Sequence, residues 1–353
     1  MKTGLTVQDF AAKVERENLS KRDFIVSAPK INVYPTGGDL EMAFALKEQP
    51  ITDADYFAGK LVTTGHEQLA SFLNIPKAYY DRMKNPDNVE LLAKNAQWWL
   101  NHADRLEDRR MIRTLDGSVR GVLSDRYRRL DNHDLLLAML PILYEAKANI
   151  VTCEITDRKL YLKFLTFDKE GEVSKGDVVQ LGGVISNSEV GFGALSIQPL
   201  FLRKVCNNGL IINELAYRKY HVGRKSSNEI IDLSFAEDTN VAMDKAFWLQ
   251  CRDVINETIS QVTLDKGMNL MRSAAGMKIV NPQVAMEITT KGLGLNQDES
   301  ASVLTHLING GDLSNWGMLN AVTRAAQDVE SFDRSVELET LASMMFTMNL
   351  NRN

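Results

Sequence analysis

Eight arginines, Arg105, Arg109, Arg110, Arg113, Arg120, Arg126, Arg128 and Arg129, fall within 25 residues, against Glu107, Asp108, Asp116 and Asp125. A guanidinium presents a planar fork of donors that matches phosphate and also stacks on bases. Tyr127 stands between Arg126 and Arg128, so the segment could hold a nucleic-acid backbone while a ring stacks on a base. The competing reading is a solvated sheet face on which these arginines pair with neighbouring acids. A second basic group comprises Arg203, Lys204, Arg218, Lys219, Arg224 and Lys225 with His221, and only Glu214 opposes it. The candidate nucleic-acid-binding set is therefore Arg113, Arg120, Arg126, Tyr127, Arg128, Arg129, Arg203, Lys204, Arg218, Lys219, Arg224 and Lys225.

Charge is distributed unevenly. The chain of 353 residues carries a net charge of -5, but residues 226–353 hold nine Lys or Arg against seventeen Asp or Glu, which leaves residues 1–225 at +3. An acidic total thus conceals a mildly basic front part. The acidic tail argues against a protein coated for non-specific nucleic-acid binding, and suits subunit or partner contacts.

Other chemistries find less support. The glycine-rich run Gly182 to Gly193 exposes backbone N–H groups that could bind an anion, but it is neither GxxxxGK[ST] nor GxGxxG, and a tight connection between strands explains it as well. The five histidines, His66, His102, His133, His221 and His306, are scattered, without HExxH or paired cysteines. Cys153 and Cys206 lie in expected strands, where a thiol is usually inert, and no GxSxG marks a nucleophile. Asp125, Asp131 and Asp134 lie close enough to hold Mg²⁺, although Asn132 reads as a helix cap with Asp134 in the first turn. No catalytic residue, metal ligand or cofactor site is assigned.

The elements that must position these residues follow from composition and period. At 44% hydrophobic and 25% charged the chain matches globular proteins and excludes collagen-like, disordered and disulfide-scaffold classes. Three cysteines without CxxC spacing suit a reducing cytosol, and the polar start and lack of a long apolar run predict a cytoplasmic protein without signal peptide or membrane span. Val7, Phe10, Ala11 and Val14 predict an opening helix. Strands are expected at Phe24–Val26, Ile31–Tyr34 and Leu40–Phe44. Thr64 to Glu67 has capping-box spacing before a helix, and the tryptophan pair Trp98–Trp99 reads as a core or interface anchor rather than a base-stacking platform.

Met111–Leu115 and Val119–Leu123 flank Asp116-Gly117, which predicts a hairpin with a primed turn; Ile150–Ile155 and Leu160–Phe167 predict another. Between them runs an apolar helix, Leu135 to Leu143, that Pro141 should kink or end. Further strands are expected over Asp177–Ser186 and Leu195–Val205. From Asp238 the period turns helical, over Val241–Val262, Gln283–Thr290, Glu299–Ile308, Trp316–Ala326 and Glu337–Phe346. The expected class is α+β, a mixed or antiparallel sheet with hairpins and packed helices followed by an all-helical C-terminal region. Three parts are expected: N-terminal strands and helices (1–105), a basic central core (106–237) and an acidic helical region (238–353) stable by itself. Apolar stripes Met318, Leu319, Val322 and Leu341, Met344, Met345, Phe346 would favour self-association if exposed.

Several motifs also resemble a known family. Arg113-Thr114-Leu115-Asp116-Gly117, Leu123-Ser124-Asp125-Arg126-Tyr127-Arg128 and Leu130-Asp131-Asn132-His133-Asp134 are followed in order by Asp157 to Lys163, Ile185 to Gly191 and Val205 to Gly209. With Gly310 to Leu313 and Asn320 to Arg324, this series resembles the phage/plasmid-like protein family built on domain of unknown function nine-three-two. The resemblance covers roughly Thr64 to Phe346 and implies a mobile-element protein of recombination or defence evasion in a bacterial cytoplasm. The outline of paired hairpins, basic strands and helical tail is similar to the ring-forming single-strand annealing proteins of phages, from which no site residue carries over. The leading expectation is a homo-oligomeric protein that binds DNA, preferentially single-stranded, and assists strand annealing. The alternatives are a non-enzymatic inhibitor of a host defence or restriction system, which would bind a host or phage protein, and an unrecognised hydrolase or nuclease.

Overall fold

The structure, a computed structural model, describes residues 1–48, 50, 52–213, 217–219 and 237–351. Three antiparallel sheets carry the first two thirds and helices the remainder, so the protein is α+β with an all-helical C-terminal region. Helix α1 (Val7–Ser20) is capped by Thr6, whose side chain accepts from Asp9 N. Strand β1 (Arg22–Ser27) follows, then β2 (Asn32–Thr36), β3 (Asp39–Ala45) and β4 (Tyr56–Lys60), the last without an expected counterpart. The sheet β2-β3-β4 shows the alternation that one buried face demands, with Leu40, Met42 and Phe44 inward.

Helices α2 (Thr63–Phe72), α3 (Lys77–Met83) and α4 (Val89–Leu100) pack with that sheet around Leu69, Tyr80 and Leu92. The expected capping box is not formed. Helix α2 has Val62 at its cap, two residues before Thr64, whose hydroxyl instead donates to the Arg120 carbonyl at 2.7 Å.

Strands β5 (Arg109–Leu115) and β6 (Ser118–Ser124) form the expected hairpin, with positive φ at Asp116 (50°) and Gly117 (75°) as a primed turn requires. β1 joins β5 to give the sheet β1-β5-β6, so residues 22–27 pair across the boundary expected near 105. Helix α5 (Asn132–Glu145) runs through Pro141. The proline lies on the solvent side while Met139 and Leu143 keep the buried side going, so packing sustains the helix despite the missing hydrogen bond.

The large sheet runs β11-β10-β9-β8-β7, from β7 (Asn149–Ile155), β8 (Leu160–Glu172), β9 (Val178–Asn187), β10 (Leu195–Arg203) and β11 (Asn208–Ile211), with β12 (Tyr217–Lys219) also on β10. Its central strands are buried on both faces, which explains their continuous apolar runs. Leu160, Leu162, Phe164, Ile185 and Ile197 pack under α1, α5 and α6 (Glu237–Thr258). Val179, Leu181, Phe201 and Leu210 share one core with α7 (Gln261–Gly276), α8 (Pro282–Leu293), α9 (Gln297–Gly310) and α10 (Asn315–Ala325). Tyr161, Val184 and Leu200 meet Phe332 and Val336 of α11 (Phe332–Leu341). Gly267 lets α7 seat closely on the sheet: a Cβ there would lie 2.1 Å from the Phe201 ring.

Two expectations are corrected here. The C-terminal helices share their core with the sheet, so they are not an autonomous bundle. Met318, Leu319, Val322, Met345 and Phe346 are buried in that core and cannot form an exposed self-association stripe. Cys206 also leaves its expected strand for the turn between β10 and β11.

Polar contacts lock sheet and helices together. Lys163 of β8 and Glu339 of α11, both wholly buried, form an ion pair, and Asn208 Nδ2 of β11 donates to Asn320 Oδ1 (3.2 Å) and Thr323 Oγ1 (2.5 Å) of α10. Removing one partner of a buried pair strands the other charge. Glu339→Leu should therefore cost about 3–5 kcal/mol in urea unfolding, and Lys163→Met combined with Glu339→Leu far less. Equal destabilisation of the single and double variants would show that the pair does not matter.

Candidate nucleic-acid interface

The arginine-rich hairpin divides into an inner and an outer set. Arg113 lies opposite Gly121 and Thr114 opposite Val119, so Arg120 is the extra residue of a bulge. Bulges re-aim side chains, and this one lets two arginines of adjacent strands reach one loop. Arg113, with no exposed surface, donates from Nε to Asp23 Oδ1 (2.8 Å), from Nη2 to Asp131 Oδ1 (2.7 Å) and from Nη1 to the Glu189 carbonyl (2.7 Å). Arg120 donates from Nη2 to Glu189 Oε2 at 2.6 Å. Lys21 lies 2.8 Å from Asp131 and 3.6 Å from Glu189, whose Oε1 also accepts the Asn132 N–H at 2.7 Å.

This network explains the carboxyl energetics. Burial alone would raise Glu189, but Arg120 and Lys21 hold its carboxyl below the usual range; Arg113 and Lys21 do the same for Asp131. Asp131, not Asn132, occupies the cap position of α5, and its carboxylate serves the ion pairs instead of the helix. It is likewise unavailable to a magnesium ion, and among the described residues no three His, Cys, Asp or Glu side chains group as a metal site.

The glycine-rich run is an internal connector. The loop after β9 uses its own polar atoms: Ser188 O accepts from Tyr127 Oη (2.9 Å), Val190 O from Gln68, and Ser188 Oγ donates to Arg158 O (2.7 Å). Asn187 Nδ2 reaches Leu130 O (2.7 Å) and Asn132 Oδ1 (2.9 Å). Five of the motif segments thus meet at one junction between the small and large sheets. Tyr127 belongs to it, and burial raises its phenol pKa, so its ring packs rather than awaiting a base.

The outer set is smaller. Arg126 is exposed and makes no ion pair with a described residue, while Arg129 is 59% exposed at its side chain and lies 3.5 Å from Asp23, which Arg113 already engages. Arg128 lies over the Phe247 ring at 5.2 Å, and Arg110 over Phe72 at 3.9 Å. In the second group Arg203 is bound to Asp177 at 2.5 Å and Lys204 to Glu170. Arg218 and Lys219 sit in β12 opposite Ser196 and Leu195. Arg224, Lys225 and His221 lie outside the described residues. The structure therefore brings Arg113, Arg120 and Tyr127 together as a buried joint and leaves Arg126 and Arg129 at the surface.

Two further constellations carry possible chemistry. A cavity of about 240 Å³ beside the network is lined by Lys13, Glu17, Arg120, Asn132, Arg158 and Lys159 among others, and burial raises the Glu17 carboxyl. Positive and negative groups balance there, and Arg158 is engaged by Glu67 at 2.8 and 2.9 Å. Buried His66 shares a hydrogen bond with Tyr80 through Nδ1 (2.8 Å); its Nε2 lies 2.9 Å from Asp39 Oδ1 at an angle too poor for hydrogen bonding. This acid–imidazole–phenol row reads as packing, since His66 and Tyr80 are almost fully enclosed. Burial likewise pushes the Cys153 thiol up to about 11, as expected of an inert core cysteine.

Burial holds His66 down at about 4. An unfolded imidazole titrates near 6.5, so the unfolded chain gains a proton the native state refuses. Stability should fall as pH drops from about 6.5 to 4, by up to about 3 kcal/mol. Below that window protonation of Asp131 and Glu189 should weaken the native state further. In denaturant unfolding between pH 7 and 4, His66→Gln should flatten the upper limb; an unchanged slope would remove His66 as its source.

Comparison with protein-family models, with curated proteins and with solved structures finds no match to this chain. The family resemblance read from the motifs accordingly rests on those residues alone.

Proposed function

We propose that the protein binds DNA, preferentially single-stranded, through the outward arginines that follow β6, and assists strand annealing in a bacterial cytoplasm as a homo-oligomer. The observation that carries this reading is the division of the hairpin arginines. Internal carboxylates neutralise Arg113 and Arg120, while Arg126 projects without an ion pair to a described residue and Arg129 has only a long contact. A rigid joint beneath two solvent-facing guanidinium groups favours phosphate binding, because the backbone that carries them is already ordered and only side-chain freedom has to be given up. The role in recombination follows from the resemblance rather than from geometry.

A second reading draws on α5. Leu137 (62% exposed), Leu140 and Tyr144 (85% exposed) recur at helical spacing on its outer face. Such a stripe suits a protein partner, whether a second copy or the target of a defence inhibitor.

Binding of single-stranded oligonucleotide across a salt series tests the proposal. Each cation withdrawn from a phosphate should flatten the log–log slope by about 0.7, so Arg126→Ala with Arg129→Ala should weaken binding and reduce the slope by about 1.4. Tyr127→Ala should instead lower thermal stability. A folded Arg126/Arg129 variant with unaltered slope would refute the arginine assignment, and no binding by the wild type would favour the protein-partner reading.

A further inference from the structure

The tryptophan pair of α4 divides between core and solvent. Trp99 is half-buried against the N-terminal core, whereas Trp98 is 58% exposed. The Trp98 ring is nevertheless braced: Trp99 meets it edge-on at 4.6 Å and 88°, and His102 lies 4.9 Å away at 42°. The helix beneath is fixed to the sheet, because Gln97 accepts from Val33 N (2.8 Å) and donates to Ile31 O (3.2 Å). One turn before Trp98, exposed Lys94 forms no ion pair with a described residue, and Asn101 completes the polar rim of the shallow cavity around the ring.

We propose that Trp98 is a base-stacking platform for a single strand, with Lys94 contacting an adjacent phosphate. This rests on the DNA-binding reading and adds to it a site for the base. A lone exposed tryptophan held by two neighbouring rings offers a flat π-face at small entropic cost, which any base can use. The Lys94 ammonium beside it, without an ion pair to a described residue, matches the phosphate that accompanies each base. A protein surface would be served as well by the ring but has no need of the cation, so the nucleotide is the occupant the pair of groups favours.

The test uses the full chain and an oligothymidylate, with affinity read by anisotropy and tryptophan fluorescence across a salt series. Trp98→Ala should weaken binding about five- to a hundredfold with the salt slope unchanged, Trp98→Phe should retain most of the affinity, and Lys94→Ala should reduce the slope by about 0.7. Wild-type affinity in a Trp98→Ala protein of unaltered melting temperature would overturn the platform. So would conversion of a wild-type oligomer to monomer by the same substitution in light scattering without DNA, which would make Trp98 a contact between copies. The two readings separate cleanly. Binding that depends on Trp98 but not on Arg126 and Arg129 removes the arginine assignment and keeps the platform; the reverse removes the platform alone; no binding by the wild type removes both.

Discussion

The Glu189 carboxylate, with Arg120 and Lys21 beside it and the Asn132 N–H on its second oxygen, is the interaction on which the architecture turns. Four segments distant in sequence are tied by this one group and its backbone carbonyl, which receives Arg113. Burying such charges is expensive unless every partner is placed. The network therefore constrains the fold more than it stabilises it: the small sheet can dock on the large one only where the acids and bases interlock. The β-bulge at Arg120 is the local device that makes this register possible.

Periodicity made most of the framework legible. The alternation in β3, the Asp116-Gly117 turn and the change to helical spacing after residue 238 each predict what is found, because each depends on neighbours in sequence. Strand β4 was missed because Tyr56 to Lys60 lacks clear alternation, and α7 because the expected helix Val241–Val262 ran across the break at Ser260, whose side chain caps a new helix by accepting from Thr263 N. The autonomy expected of the helical tail failed for a different reason. An apolar helical stripe shows that a face is buried, but not whether a helix or a sheet covers it.

The candidate site was legible only in its residue types. Arginine density flagged the hairpin, yet whether a guanidinium meets phosphate or carboxylate depends on Asp23, Asp131 and Glu189, placed by tertiary structure. Parity could not decide it: in β5 buried Arg113 shares its phase with buried Met111 and with exposed Arg109, and the bulge shifts the phase of Arg120. The tryptophan pair was legible in part: two adjacent helical residues point about 100° apart, so Trp99 packs against the core as expected while Trp98 stands at the surface.

What unites these observations is a separation of structural from available charge. Acids within the joint consume the inner arginines, while Arg126 and Arg129, in the connection after β6, and Lys94, on α4, are among the cations left at the surface. Arginine-specific chemical modification read by mass spectrometry, with and without a single-stranded oligonucleotide, tests that separation most directly. Arg126 and Arg129 should react in the free protein and be protected by DNA, while Arg113 and Arg120 stay unreactive in both states. Modification of Arg113 or Arg120 in the native protein, or full reactivity of Arg126 and Arg129 in the presence of saturating DNA, would contradict it.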